Sequence, residues 1–185
     1  MTTIFEVTDL NQISGLIENL PDFDQASADA ATERQNSLTK PPGALGRLEE
    51  LAIFMAGWQK VEKPQINKAQ ALVFAGNHGI CAQGVNPFPQ EVTVQMVANF
   101  QHGGAAINQL CQSNGAELSV IALDLDNPTA DFTQGPAMSS KETLAAMKQG
   151  AEAVDQSADV LILGEMASAT RLSRLLWLQH PLAEM

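Results

Sequence analysis

The sequence predicts an α/β fold built on a doubly wound, mostly parallel sheet, and three observations carry that reading. Short continuous apolar runs, ALVFAG and DVLILG, have the form of parallel strands buried on both faces. Stretches rich in helix-forming residues, one with apolar residues at three- and four-residue steps, separate the strands. The two kinds alternate along the chain, which gives crossover connections and a parallel sheet rather than a helix bundle or a sandwich.

Residues 22–38 are alanine-rich with an acidic start, so a helix there complements its own dipole. Pro41 and Pro42 stop it. A second helix follows in GALGRLEELAIFMAGWQ, where Leu45, Leu48, Leu51, Ala52, Met55 and Ala56 form an apolar stripe expected to lie on a core. The first strand is placed at 70–75. NHGICAQGVNPFPQ, dense in Gly, Pro and Asn, is a loop before the helical stretch EVTVQMVANFQHGGAAINQLCQ, which Gly103 and Gly104 bend. AELSVIALDLD is the second strand. A helix after Ser139, with Glu142 completing a capping box, leads to the third strand, DVLILGEM. Three strands are few for this class, which leaves room for a further half. The organisation expected is a helical segment over 1–60 and a partial α/β domain over 61–185.

Composition narrows the function. A net charge of −11 in 185 residues disfavours nucleic acid, whose affinity comes largely from lysine and arginine on phosphates. The start MTTIFEVTDL lacks a basic leader, and two cysteines outside a C-x-x-C spacing suit the cytoplasm. No apolar run approaches the roughly 20 residues of a membrane span. His78, His102 and His180 are scattered, so neither a metal nor another cofactor is expected.

In open α/β sheets a ligand lies beyond the carboxyl ends of the strands. That rule selects Asn77, His78 and Gly79 after the first strand, Asp124 and Asp126 after the second, and Gly164, Glu165 and Met166 after the third. Each also has a structural reading. His78 can bond to its own loop, the aspartates can end a strand, Glu165 can favour a helix start, and Gln95 can be a solvated face residue.

The combination is more specific than its members. LTKPPGALGRLEELA, followed by NHGICAQGVNPFPQEVTVQMVANFQHGGAAINQL and then GEM at 164–166, resembles the nicotinate-nucleotide:dimethylbenzimidazole phosphoribosyltransferase family. The resemblance implies a Rossmann-like α/β domain with a smaller helical domain to which the N-terminal helices contribute, in a homodimer. It implies transfer of the phosphoribosyl group of nicotinate mononucleotide to 5,6-dimethylbenzimidazole, for the lower ligand of cobalamin. A carboxylate must take the benzimidazole N–H proton as the ring nitrogen attacks. By the same resemblance Pro87, Phe88 and Gln95, with His78, face the aromatic base, and Glu165, after Gly164, lies near the ribose of the nucleotide; beyond the matching motif, Ser168 and Thr170 can still donate to a phosphate and Arg171 can pair with one.

Three departures from the family pattern bear on this. Asn77 stands where the family has the aspartate of DHG, and Ala44 where it has a serine. After GEM, the family's Gly-Asn-Thr-Thr run is replaced by Ala167, Ser168, Ala169, Thr170 and Arg171, which removes the backbone freedom that favours phosphate. The family's catalytic glutamate matches no carboxylate here, so the expectation is a truncated enzyme without its base. Its partners are the two small molecules and either further copies of itself or a separate C-terminal half. The alternative is a non-catalytic module that binds an aromatic base or another protein.

Overall fold

The computed structural model describes residues 4–18 and 20–168. It divides into two compact units, one of Ser14–Ile66 and one of Asn67 onward together with the residues up to Ile13.

In the first unit a short helix α1 (Ile13–Ile17) precedes an antiparallel pair, α2 (Gln25–Ser37) and α3 (Arg47–Gln59). Asp24 caps α2 by accepting from the Ser27 N–H at 3.0 Å, and its own N–H donates to the Gly57 carbonyl at 3.0 Å. The prolines at 41 and 42 separate the helices, and Lys40 pairs with Glu49 at 2.7 Å across that turn. The expected apolar stripe does not form a core. Leu45, Leu48 and Leu51 are 51%, 63% and 45% exposed, whereas Ala56 and Gly57 are buried, as are Ala28 and Ala31 of α2. Small residues let the two backbones approach, so the larger side chains of α3 point outward.

The second unit holds a three-stranded parallel sheet in the order β2-β1-β3, from β1 (Ala69–Gly76), β2 (Glu117–Leu123) and β3 (Val160–Ala167). Between β1 and β2 lie α4 (Glu91–Gln101) and α5 (Ala106–Asn114), divided at Gly103 and Gly104 as the sequence predicts. A Cβ on Gly104 would sit 2.1 Å from Asn99 Oδ1, so no larger residue fits that corner unless Asn99 moves. Helix α6 (Ser140–Glu152) starts at the predicted Ser139–Glu142 capping box. The chain leaves β1 to one side through α4 and α5, then returns past it through α6. With right-handed crossovers this is doubly wound, and the connections diverge between β1 and β3.

The central strand is buried on both faces, with Ala71, Leu72 and Ala75 at 1% exposure or less. Buried Gln70 ties its start to the end of α6, donating to the Ala153 carbonyl and accepting from the Asp155 N–H, both at 2.9 Å. On the edge, β3 is different, and its Leu161, Ile162 and Leu163 are exposed. Two strand ends depart from expectation. β2 stops at Leu123 because Asp124 turns to a positive φ and accepts from the Asn127 side chain. β3 runs through Gly164, Glu165 and Met166, which are not in a following loop or at a helix start, because the parallel ladder continues to the pair Gly76–Ala167.

Candidate functional site

At the carboxyl end of β1 the backbone is fixed by segments far apart in sequence. Buried Asn77 donates from Nδ2 to the Leu125 carbonyl at 3.1 Å, a bond that a carboxylate there would lack. Its Oδ1 has no partner among the described residues. His78 donates its N–H to Ser168 Oγ at 2.9 Å, accepts from Gln90 Nε2 at 2.8 Å on its carbonyl, and forms a parallel bridge with Thr129. Ser168 in turn donates its N–H to the Gly76 carbonyl at 3.3 Å. Gly79 makes this packing possible, since a Cβ on it would stand 2.3 Å from the Thr129 carbonyl oxygen.

The imidazole of His78 is half-buried, with Nδ1 at 3.5 Å from Thr129 Oγ1. Burial pushes its pKa down, and the nearby Glu165 carboxylate opposes that shift in part. The net lowering keeps the ring neutral to a lower pH than an unfolded histidine. The folded state therefore binds fewer protons between the two pKa values, and the stability held above the unfolded value, about 6.5, is lost as pH falls through the lowered one. Urea midpoints measured from pH 8 down to 5 are expected to fall below pH 6.5, and His78→Gln to flatten that segment. An unchanged slope in the variant rejects the assignment.

After Gly79 the chain makes one 3-10 turn, Gly79–Gln83, and then the rigid run Asn86-Pro87-Phe88-Pro89. Asn86 Nδ2 donates to the Phe88 carbonyl at 2.6 Å, and Gln83 Nε2 donates to Asp131 at 2.6 Å, which ties the turn to the loop after β2. That bond and two from Thr133 hold the Asp131 carboxyl below its ordinary value. The segment borders an open concavity of about 480 Å³, lined among others by Cys81, Pro87, Phe88, Gln90, Glu91 and Pro128. Phe88 is 64% exposed at it.

The candidates from the sequence thus fall into two groups. Pro87 and Phe88 line the concavity, while His78, Glu165 and Ser168 gather at the carboxyl ends of the paired strands β1 and β3. Gln90 belongs to both, as a wall of the concavity and the donor to His78. Gln95 is exposed on α4 and is not part of the lining. Gly164 pairs with Val73 inside the sheet, and Thr170 and Arg171 lie outside the described residues. Sequence reasoning missed Thr129, Pro128, Asn86 and Glu91. The carboxyl-end rule marks the loop after β2 through its aspartates, of which Asp124 serves a local turn. Among the described residues there is no cluster of metal-ligating side chains, and no helix is long and apolar enough to cross a membrane.

Residues 20–180 match a phosphoribosyltransferase family profile. The nicotinate-nucleotide:dimethylbenzimidazole phosphoribosyltransferase of Rhodobacter capsulatus is 63% identical over 163 residues, 88% of this chain and 49% of that protein. The same-named protein of Roseobacter denitrificans is 58% identical over 166 residues, 90% of this chain and 49% of its own length. A crystal structure of the Thermus thermophilus enzyme of that name superposes with a TM-score of 0.68 at 36% identity, covering 79% of this chain and 50% of that one. The chain spans about half the length of the curated relatives it matches. These matches agree with the three-stranded parallel sheet and the motifs on its first loop, and the chain belongs to the nicotinate-nucleotide:dimethylbenzimidazole phosphoribosyltransferase family.

Proposed function

We propose that this chain supplies substrate-binding surface for moving the phosphoribosyl group of nicotinate mononucleotide to 5,6-dimethylbenzimidazole. The observation that carries the reading is the concavity at the end of the central strand, where Phe88 offers an exposed ring between Pro87 and Pro89. Its volume is that of a small-molecule pocket, and Pro87, Phe88, Pro89 and Pro128 give it an apolar side next to Asn86, Gln90 and Glu91. The nucleotide belongs beyond the carboxyl ends of β1 and β3, where the connections diverge. There Glu165 faces the ribose, and Ser168 and Gly164 stand near it with Thr170 and Arg171 following in sequence. His78 joins the two sides through Gln90, whose Nε2 donates to the His78 carbonyl. The reading assigns the proton-accepting carboxylate to none of the described residues, and the chain acts with further copies of itself or with a separate chain.

Titration calorimetry of 5,6-dimethylbenzimidazole against the chain tests this. Phe88→Ala is expected to weaken binding by more than the about 0.5–1.5 kcal/mol that an aromatic pair contributes beyond its buried area. Glu165→Gln is expected to leave that affinity nearly unchanged. The reverse order overturns the assignment of the two groups.

A further inference from the structure

Charge at the concavity follows an uneven pattern. Apart from Glu91, its lining is Gly79, Cys81, Ala82, Asn86, Gln90, Phe88 and prolines, so Glu91 is the one carboxylate and no lysine, arginine or histidine accompanies it. Glu91 opens helix α4 and forms no ion pair with any described residue. The two side-chain amides of the lining each direct one N–H to a loop carbonyl, and neither carries a charge. Asn86 Nδ2 donates to the Phe88 carbonyl at 2.6 Å and Gln90 Nε2 to the His78 carbonyl at 2.8 Å.

An uncharged aromatic ring meets only the flat face of Phe88 and the prolines, and Glu91 costs it little. An aromatic carboxylate of similar size meets the same ring but adds a second negative charge beside the first, with no cation to compensate either. Specificity of this kind arises from a repulsive element placed against the wrong ligand. We propose that Glu91 is a specificity-determining residue that makes this concavity accept a neutral aromatic base and reject an aromatic carboxylate. The inference rests on the reading of the concavity as the aromatic-base site. For the proposed transfer the distinction matters, because the acceptor is a neutral azole and the released aromatic is the nicotinate anion. A site that excludes the anion is not occupied by accumulating product.

Equilibrium dialysis of the whole chain at neutral pH against 5,6-dimethylbenzimidazole and, separately, against nicotinate tests the proposal. Glu91→Gln keeps the shape and removes the charge, and Glu91→Lys reverses it. Nicotinate affinity is expected to rise roughly three- to tenfold in Glu91→Gln and further in Glu91→Lys at low ionic strength, a gain larger than any change in the affinity for the azole. High salt is expected to narrow the difference between wild type and variants, which a loss of packing alone would not do. If nicotinate binds wild type and both variants equally while the azole binds all three, Glu91 does not discriminate. If the azole itself fails to bind wild type, the base-site reading fails and takes this inference with it.

Discussion

Replacing Gly79 with alanine is expected to unmake the site rather than adjust it. The added Cβ would lie 2.3 Å from the Thr129 carbonyl oxygen, 2.7 Å from the Asp131 nitrogen and 2.8 Å from the Ala130 carbonyl carbon. All three are backbone atoms, so no side chain can swing aside, and the loop after β2 must withdraw from the loop after β1. That withdrawal breaks the Thr129 N–H bond to the Asn77 carbonyl and the bridge between His78 and Thr129. Overpacking of this kind costs about 1–3 kcal/mol, and with the lost bonds the expected destabilisation is about 3 kcal/mol. Binding of dimethylbenzimidazole should fall by more than about tenfold, since about 1.4 kcal/mol of displaced geometry suffices for that. Gly164→Ala is the control. Its Cβ would meet Val73 Cγ2 at 3.4 Å, an ordinary contact, and the urea midpoint should move little. Equal midpoints for the two variants contradict the steric argument.

Leu72→Ala carries the largest effect expected on stability alone. Leu72 is fully buried at the middle of the central strand, which is paired on both sides. Removing the Cγ methine and its two methyl groups there leaves a cavity that a strand paired on both sides cannot collapse to fill. The expected loss is about 2–5 kcal/mol. In urea the midpoint should drop with the slope unchanged, because the surface exposed on unfolding stays nearly the same. A loss below about 1 kcal/mol would mean that the sheet repacks freely, and that β1 does not hold the site in place.

β1 is legible in the sequence because a continuous apolar run bounded by Lys68 and Asn77 admits few other readings at that length. The near-identical run in β3 misleads in one respect. An apolar run does not distinguish a central strand from an edge, and here Leu161, Ile162 and Leu163 are exposed. Gly164 and Glu165 read as the end of that strand because glycine and charge usually punctuate, yet their pairing with Val73 and Phe74 carries the ladder through them. In α3 the large apolar residues advertise a core face, but contact with α2 runs through alanines and a glycine whose smallness hides them from any count of hydrophobicity. The loop bearing His78 and Phe88 announces itself by its glycines and prolines. Thr129 does not, because its place beside His78 depends on a partner 51 residues away that no local pattern specifies.

The central position of β1 also bears on the order in which the molecule assembles. Joining Asn77 to Leu125 closes a loop of 48 residues, whereas joining His78 to Ser168 closes one of 90. Nearly doubling the loop raises its closure entropy by about 0.6 kcal/mol, and nothing local offsets that before the strands meet. On loop closure alone, pairing of β1 with β2 is expected to precede pairing with β3. The base loop and its concavity form on the earlier pairing, and the crevice that gathers His78, Glu165 and Ser168 closes only with the last strand. Hydrogen exchange should report that history in reverse, with the Ser168 amide opening at lower free energy than those of β1 facing β2.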